Sequence, residues 1–509
     1  MTITKFLNFS KNVFRRTSFR SSSTNSNSSS QPSTTHQKLV NPKDIFANNQ
    51  LSLKHVNIYG FDYDYTLAQY RKDSVEKFIY HRTLDILVKK FRYPENLLKK
   101  LSYDPDFIIR GLHYDIENEL VMKLDSFTVI NLPGVFHGRE ELDWDKLHQI
   151  YRHRHVPHTK LEAGSGWGNS TAGYRTGRNF HYVSDRFSVP ELLLICDIIQ
   201  YLKDNNESYD GRVLYNDILK AVSEVHISGM LAQEITENLD QYLERGSLVK
   251  TLDYLLENNK KLFMLTNSPY SFVNAGMKHL LDYPANWTEY FELLIFSAGK
   301  PQFFTEKDRV FRTSGPKWSI LYKNTKTPKP TYAPVRNFQR GHMYEGGCLK
   351  EMQRLTNWED SEIIFFGDHV YADLADVSAG LGWRTAAIVP ELEHEIEICN
   401  STEFRNFVSD LIEVEGKLDT LQKEFGKSGT SAEVVELANE RVRIKEQMKE
   451  IFNPFFGSMF RCRIQQSYFQ RRLNRYAEIY TSDINNLCNI PLDMTFYPKR
   501  THLPHEWQM

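Results

Sequence analysis

Two aspartates one residue apart close a short apolar run: Val56–Asn57–Ile58–Tyr59–Gly60–Phe61 leads into Asp62–Tyr63–Asp64–Tyr65–Thr66–Leu67. Successive side chains of a strand point to opposite faces, so residues i and i+2 share a face only while the chain stays extended. Like charges held close together repel, so a pair placed this way is not a stability device. It requires a cation between the carboxylates, or chemistry that keeps one of them protonated. Metal-assisted phosphoryl transfer meets both needs, with one aspartate as nucleophile and the other as acid and base.

Four further apolar runs read as strands, and three of them end in groups suited to phosphate. Leu262–Phe263–Met264–Leu265 leads into Thr266–Asn267–Ser268–Pro269, and the run Phe291 to Phe296 leads into Ser297–Ala298–Gly299–Lys300–Pro301. Ile363–Ile364–Phe365–Phe366 leads into Gly367–Asp368–His369 and on to Asp373, whereas Thr385 to Val389 closes on Pro390 with no polar payload. Runs that are continuously apolar rather than alternating belong to parallel strands covered on both faces. Helical stretches over 270–282, 347–356 and 373–380 separate them. The fold class is therefore α/β, a doubly wound parallel sheet with a site at the carboxyl edge of its strands. Taken singly, each polar string has a plainer reading as a turn, a helix cap or a solvated lysine. Their shared position at strand ends favours catalysis.

The set Asp62–Tyr63–Asp64–Tyr65–Thr66–Leu67–Ala68, Thr266–Asn267–Ser268, Lys300–Pro301 and Gly367–Asp368–His369 with Asp373 resembles the haloacid dehalogenase (HAD) superfamily of phosphohydrolases. The wording of the first string is similar to the cytosolic purine 5′-nucleotidase family and its domain-containing relatives. Gly382–Trp383–Arg384–Thr385 and Val389–Pro390–Glu391–Leu392 are further phrases similar to that family, and the likeness runs from about Asn57 to about Tyr480. The resemblance implies a HAD-like Rossmannoid core and a Mg²⁺-dependent 5′-nucleotidase. Its substrate would be a nucleoside 5′-monophosphate, hydrolysed through an aspartyl-phosphate. It implies Asp62 as nucleophile and Asp64 as proton donor and later base. Mg²⁺ would sit among the Asp62 carboxylate, the Asp64 backbone carbonyl and Asp368. Thr266, Asn267 and Ser268 would bind the phosphate, Lys300 would neutralise its charge, and Asp373 would orient the metal's surroundings. The alternatives are a phosphatase for another phosphomonoester, or a weakly active or non-catalytic regulatory or scaffold protein that keeps the fold.

Roughly 200 residues separate the first two motifs, far more than a crossover needs. Residues 71–249 are therefore expected to form an inserted, mainly helical cap, with helices near 81–92, 190–203 and 213–243 and a loop from Gly164 to Gly177. The catalytic core would comprise 50–70 and 250–400, followed by a helical extension over 401–509. That extension reads as helices over 404–424 and 431–452 joined at Lys427–Ser428–Gly429–Thr430, packing on the core or on a second copy of the chain. By resemblance Phe187 matches a phenylalanine that stacks on a purine base; a place in the cap core is the other reading. The family's Cys-Pro-Arg-Tyr-Thr-Ser wording has no match near Lys203–Asp204–Asn205–Asn206.

A net charge of −1 argues against general nucleic-acid binding. No apolar run approaches the ~20 residues that span a bilayer. The cysteines, Cys196, Cys348, Cys399, Cys462 and Cys488, lie far apart without metal-like spacing. They read as thiols of a reducing compartment. Residues 1–43 carry Lys5, Lys11, Arg15, Arg16, Arg20, Lys38 and Lys43 and no acidic residue, and Ser21 to Ser33 is almost wholly Ser, Thr and Asn. That composition describes a mitochondrial transit peptide directing the chain to the matrix; a disordered tail on a cytoplasmic protein is the alternative. Fusing residues 1–43 to a fluorescent protein is expected to give mitochondrial fluorescence, and a cytosolic signal would sink the import reading.

Overall fold

Strands that are apolar on both faces need cover on both sides, and the central sheet meets that demand. In the computed structural model, residues 39–151, 154–157, 161, 180–282, 286–314, 335–375, 377–378, 382–425, 432–463 and 465–500 are described. The glycine-rich loop expected from Gly164 to Gly177, the turn at 427–430 and the tail through residue 38 lie outside them.

The central sheet comprises β1 (Phe46–Ala47), β2 (Ile58–Phe61), β3 (Lys261–Leu265), β4 (Leu293–Phe296), β5 (Phe311–Ser314), β6 (Met343–Gly346), β7 (Ile363–Gly367), β8 (Arg384–Ile388) and β9 (Ile479–Thr481). Its spatial order is β1-β9-β8-β7-β2-β3-β4-β6-β5. The run from β9 to β6 is parallel, and β1 and β5 add antiparallel edges. The five strands expected from the apolar runs are all present. Tyr59, Phe61, Leu262, Met264, Leu294, Phe296, Ile364 and Phe366 pack on one face. Ile58, Phe263, Leu265, Leu293, Ile295, Ile363 and Phe365 pack on the other. Each such burial contributes about 1.5–3 kcal/mol, so the strand ends are held rigidly.

From β2 the chain winds outward to β3, β4 and β6 on one side, and later to β7, β8 and β9 on the other. The winding reverses at β2, where its two neighbours, β3 and β7, leave a crevice beyond the carboxyl ends of the strands. Asp62 follows β2 directly, with its amide bonded to the Phe366 carbonyl at 2.9 Å.

The insert leaves the core at Tyr70 and returns at Leu243, and these two residues pair as an antiparallel bridge. Its longest helices are α1 (Ser74–Phe91), α2 (Val189–Asp204), α3 (Gly211–Ile227) and α4 (Met230–Glu237). The helical stretch expected over 213–243 is broken, because Gly229 turns the chain at φ +81° between α3 and α4. The cap also holds a five-stranded antiparallel sheet, ordered Glu140–Glu141, Ile130–His137, Leu120–Leu124, His113–Asp115 and Phe180–Tyr182. Most of these strands are too short to show a period of two in the sequence.

The extension over 401–509 is not wholly helical, as β9 belongs to the central sheet. Residues 40–43, counted with the tail above, also pack on the folded body: Ser482 Oγ donates to the Pro42 carbonyl, and Asn400 brackets Val40. The expected helix pair is present as Thr402–Phe425 and Ala432–Phe452, joined by Arg441–Glu415 at 2.6 Å and a Phe404–Phe452 ring contact at 5.1 Å. Among the described residues no helix is long and apolar enough to cross a membrane.

Candidate active site

Local sequence explains why the two aspartates face one crevice. Between them, fully buried Tyr63 turns back against α5 (Tyr270–Leu280), edge-on to Phe272 at 5.7 Å. A Cβ at Gly276 of α5 would stand 1.7 Å from the Tyr63 hydroxyl, so this helix position accepts no side chain. Past Asp64 the chain curls tightly, and the Tyr63 carbonyl accepts the amides of Thr66, Leu67 and Ala68 at 3.3, 3.0 and 2.9 Å.

At the centre lies Lys300, delivered by the loop after β4 and almost wholly buried. Its Nζ stands 2.9 Å from Asp62 Oδ1 and 2.6 Å from Asp373 Oδ1. Asn267 holds the lysine backbone on both sides, accepting the Lys300 amide at 2.6 Å and donating to its carbonyl at 3.1 Å. Asp373 is fixed by a second bond, from the His369 amide to Oδ2 at 3.1 Å. A Cβ at Gly367 would come within 2.5 Å of the Asp373 side chain, so a glycine is required where β7 ends. The helix expected over 373–380 begins earlier, as a π-helical turn over Val370–Ala375 that carries Asp373 inward.

Carboxylate oxygens of Asp62, Asp368 and Asp373, all buried, lie within 4.8 Å of one another. Burial pushes the Asp62 carboxyl up to about 7, with Lys300 pulling it down and Asp373 and Asp64 pushing it further up. Asp368 is held well above the ordinary range by burial, then by Asp373 and Asp62. Burial opposes the charge of Lys300, yet Asp373 and Asp62 keep it protonated beyond the usual lysine range. Three buried carboxylates against one ammonium leave surplus negative charge, and an all-oxygen set of this kind fits a hard divalent cation.

Asp64 stands apart from that cluster. Its Oδ1 accepts from the Tyr70 hydroxyl at 2.5 Å and its Oδ2 from Ser268 Oγ at 2.6 Å. Burial raises its pKa, while these two hydrogen bonds lower it. The two bonds fix the carboxyl in orientation.

One cavity of about 280 Å³ is bordered by Asp62, Asp64, Phe187, Asn267, Ser268, Lys300, Asp368 and Asp373. Thr266, expected on the phosphate, is not among them. It is fully buried, and its Oγ1 accepts the Ser268 amide at 3.1 Å, so it builds the turn. Half-buried Phe187 meets Tyr65, Tyr70 and His226 edge-on at 5.1, 6.4 and 5.9 Å while also facing the cavity.

Sequence reasoning missed several contributors. Tyr70, Asp185, His226 and His369 also line the cavity. His369 Nδ1 accepts the amides of Tyr371 and Ala372, which puts the ring proton on Nε2, 3.1 Å from Ser184 Oγ and 3.5 Å from Asp185 Oδ2 in the cap. β8 carries a polar payload after all, in Glu391. This residue pairs with Arg110 at 2.7 Å and lies 3.9 Å from Arg186, which in turn pairs with Glu76 at 2.6 Å. Arg110 also donates to the Asp368 carbonyl at 3.2 Å.

The chain matches the model of the 5′ nucleotidase family over residues 45–508. It is 36% identical over 470 residues to 5′-nucleotidase domain-containing protein 2 of Rattus norvegicus and of Homo sapiens, covering 92% of this chain and 81% and 86% of theirs. A 5′-nucleotidase domain-containing protein of Dictyostelium discoideum is 35% identical over 483 residues, covering 93% of this chain and 77% of its own. Among solved structures, a magnesium-bound HAD-hydrolase from Bacillus subtilis aligns at 12% identity with a TM-score of 0.21, covering 66% of this chain and 90% of that one. A phosphatase from Clostridium difficile aligns at 11% and 0.24, covering 66% and 85%. The family match and the curated relatives place this chain among the phosphoric monoester hydrolases; it belongs to the 5′-nucleotidase family.

The crowding of carboxylates has a measurable cost. A carboxyl whose folded pKa is raised contributes stability below its unfolded value, and that stability is lost as pH climbs to the folded one. For Asp62 the window runs from 3.8 to about 7. Metal-free protein is therefore expected to lose stability across that range, and Asp368→Asn to recover more of it at pH 8 than at pH 5. Thermal melts in excess chelator check this; a variant less stable than wild type at pH 8 would contradict the crowding.

Proposed function

We propose that the chain is a Mg²⁺-dependent 5′-nucleotidase that hydrolyses nucleoside 5′-monophosphates through an aspartyl-phosphate on Asp62. The observation that carries the reading is the division of labour between the two aspartates. Asp62 sits against Lys300 at 2.9 Å, whereas the Asp64 carboxyl is held apart by Tyr70 and Ser268.

An oxygen of the Asp62 carboxylate attacks phosphorus, and the bond to the leaving oxygen breaks. Asp64 gives its proton to that oxygen, and burial, which raises its pKa, favours keeping the proton until then. Asp64 then takes a proton from the water that attacks phosphorus in the aspartyl-phosphate, which restores Asp62. The Lys300 ammonium balances charge on the phosphoryl oxygens. Asn267 keeps Lys300 in place through its backbone, and its amide and the Ser268 hydroxyl are the polar groups of that turn at the cavity. Asp62, the Asp64 carbonyl and Asp368 would hold Mg²⁺, with Asp373 placed beside them by Lys300 and the His369 amide. When bound, the ion supplies positive charge to the phosphate oxygens.

A second reading, a phosphatase for another phosphomonoester, draws support from the apolar part of the cavity lining, where Phe187, Phe272, Leu231 and Ile235 present hydrocarbon and aromatic surface. Phe187→Ala separates the two. Loss of base stacking is worth about 1–3 kcal/mol of binding, so nucleotide affinity should fall while para-nitrophenyl phosphate is scarcely affected. Equal losses on both would favour the second reading.

The roles of the aspartates are tested with para-nitrophenyl phosphate, whose leaving phenolate hardly needs a proton. Asp64→Asn should release a near-stoichiometric burst of phenolate and then stall with a phosphoryl group on the protein, visible by mass spectrometry after acid quench. Asp62→Asn should show neither burst nor label, and the reverse pattern would invert the assignment.

A further inference from the structure

Tyr70 lies outside every motif in the sequence, yet it touches three parts of the site at once. Its hydroxyl donates to Asp64 Oδ1 at 2.5 Å. Its ring lies 4.8 Å from Tyr65 and 6.4 Å from Phe187, the cap residue facing the cavity. Its backbone forms the bridge with Leu243 where the chain enters and leaves the cap. On either side of that bridge the Arg71 amide donates to the Tyr242 carbonyl at 2.7 Å, and the Glu244 amide to the Gln69 carbonyl at 2.9 Å. The residue is buried, so water does not compete freely for its hydroxyl.

A carboxyl held by one hydrogen bond can rotate about its Cβ–Cγ bond; one held at both oxygens cannot. Ser268 supplies the second bond. The serine, however, sits on the turn after β3 and borders the cavity, where it is placed to meet phosphate as well. If its hydroxyl turns to a bound phosphoryl oxygen, Tyr70 is left holding the acid alone. We propose that Tyr70 is the positioning residue for the acid Asp64. The proposal rests on the acid role given to Asp64 above.

The test uses the full chain with Mg²⁺ and a series of aryl and alkyl phosphomonoesters of rising leaving-group pKa, para-nitrophenyl phosphate at one end. Tyr70→Phe keeps the ring contacts and removes the hydroxyl. General acid help is worth about 10²–10⁴-fold. Losing its alignment should therefore lower kcat/KM on the alkyl esters by about tenfold or more, with at most about a twofold effect on para-nitrophenyl phosphate. The melting temperature should hardly change. In an Asp64→Asn background, read from the rate of the single release of leaving group before the stall, the same substitution should add nothing, since the two act through one group.

A loss equal on all esters, or none on any, would overturn the role of Tyr70. Asp64→Asn in the same series keeps the two claims distinct. Leaving-group dependence in Asp64→Asn without it in Tyr70→Phe overturns only the role of Tyr70. Its absence from both overturns the acid assignment together with the proposal.

Discussion

Lys300, buried between Asp62 and Asp373, is the contact on which the rest of the site depends. Removing charges from water costs roughly several kcal/mol per ion, and a buried ion is tolerated only where partners meet it at good geometry. Asn267 pins the lysine backbone, the His369 amide pins Asp373, and Gly367 leaves the room that Asp373 occupies. These supports come from β2, β3, β4 and β7, adjacent strands of one parallel sheet. A parallel arrangement is what brings four carboxyl ends to the same edge. The apolar packing on both faces gives that edge its rigidity.

The second constraint is the surplus of negative charge. Lys300 balances part of three carboxylates, and Asp368 is held well above the ordinary range first by burial and then by Asp373 and Asp62. Asp64 adds to the crowding of Asp62, but its own carboxyl is held by the hydroxyls of Tyr70 and Ser268. Two neighbouring aspartates thus acquire different chemistry from their surroundings, one electrostatically bound to a cation and the other hydrogen-bonded by neutral groups. The cap is joined to this arrangement by charge as well as by chain. Glu391 at the end of β8 pairs with Arg110, which reaches the Asp368 carbonyl, and its other oxygen faces Arg186, the partner of Glu76 on α1.

Much of the core was legible because its strands are continuously apolar and each ends in a distinctive polar string. Asp62, Asp64, Asn267, Ser268, Lys300, Asp368 and Asp373 could be singled out on that basis, and they meet at one cavity. Thr266 is fully buried and its Oγ1 accepts the Ser268 amide, and a threonine beside a phosphate and one that closes a turn look alike in sequence. β9 and most strands of the cap sheet are too short to display a period. Arg110, Arg186 and Glu391 are single charges in unpatterned segments, and only the fold brings them within reach of one another. Tyr70 is six positions from Asp64, but its approach depends on the tight curl about the Tyr63 carbonyl, which no spacing rule encodes.

The central claim is that phosphorus passes through Asp62. Each in-line displacement inverts the configuration at phosphorus, so two successive displacements restore it. The most direct measurement is the stereochemical course of transfer, to an acceptor alcohol supplied in place of water, from a phosphomonoester made chiral with oxygen isotopes. The account predicts net retention, with attack first by Asp62 and then by the acceptor oxygen. Net inversion would mean a single direct displacement by that acceptor, and would contradict Asp62 as the nucleophile.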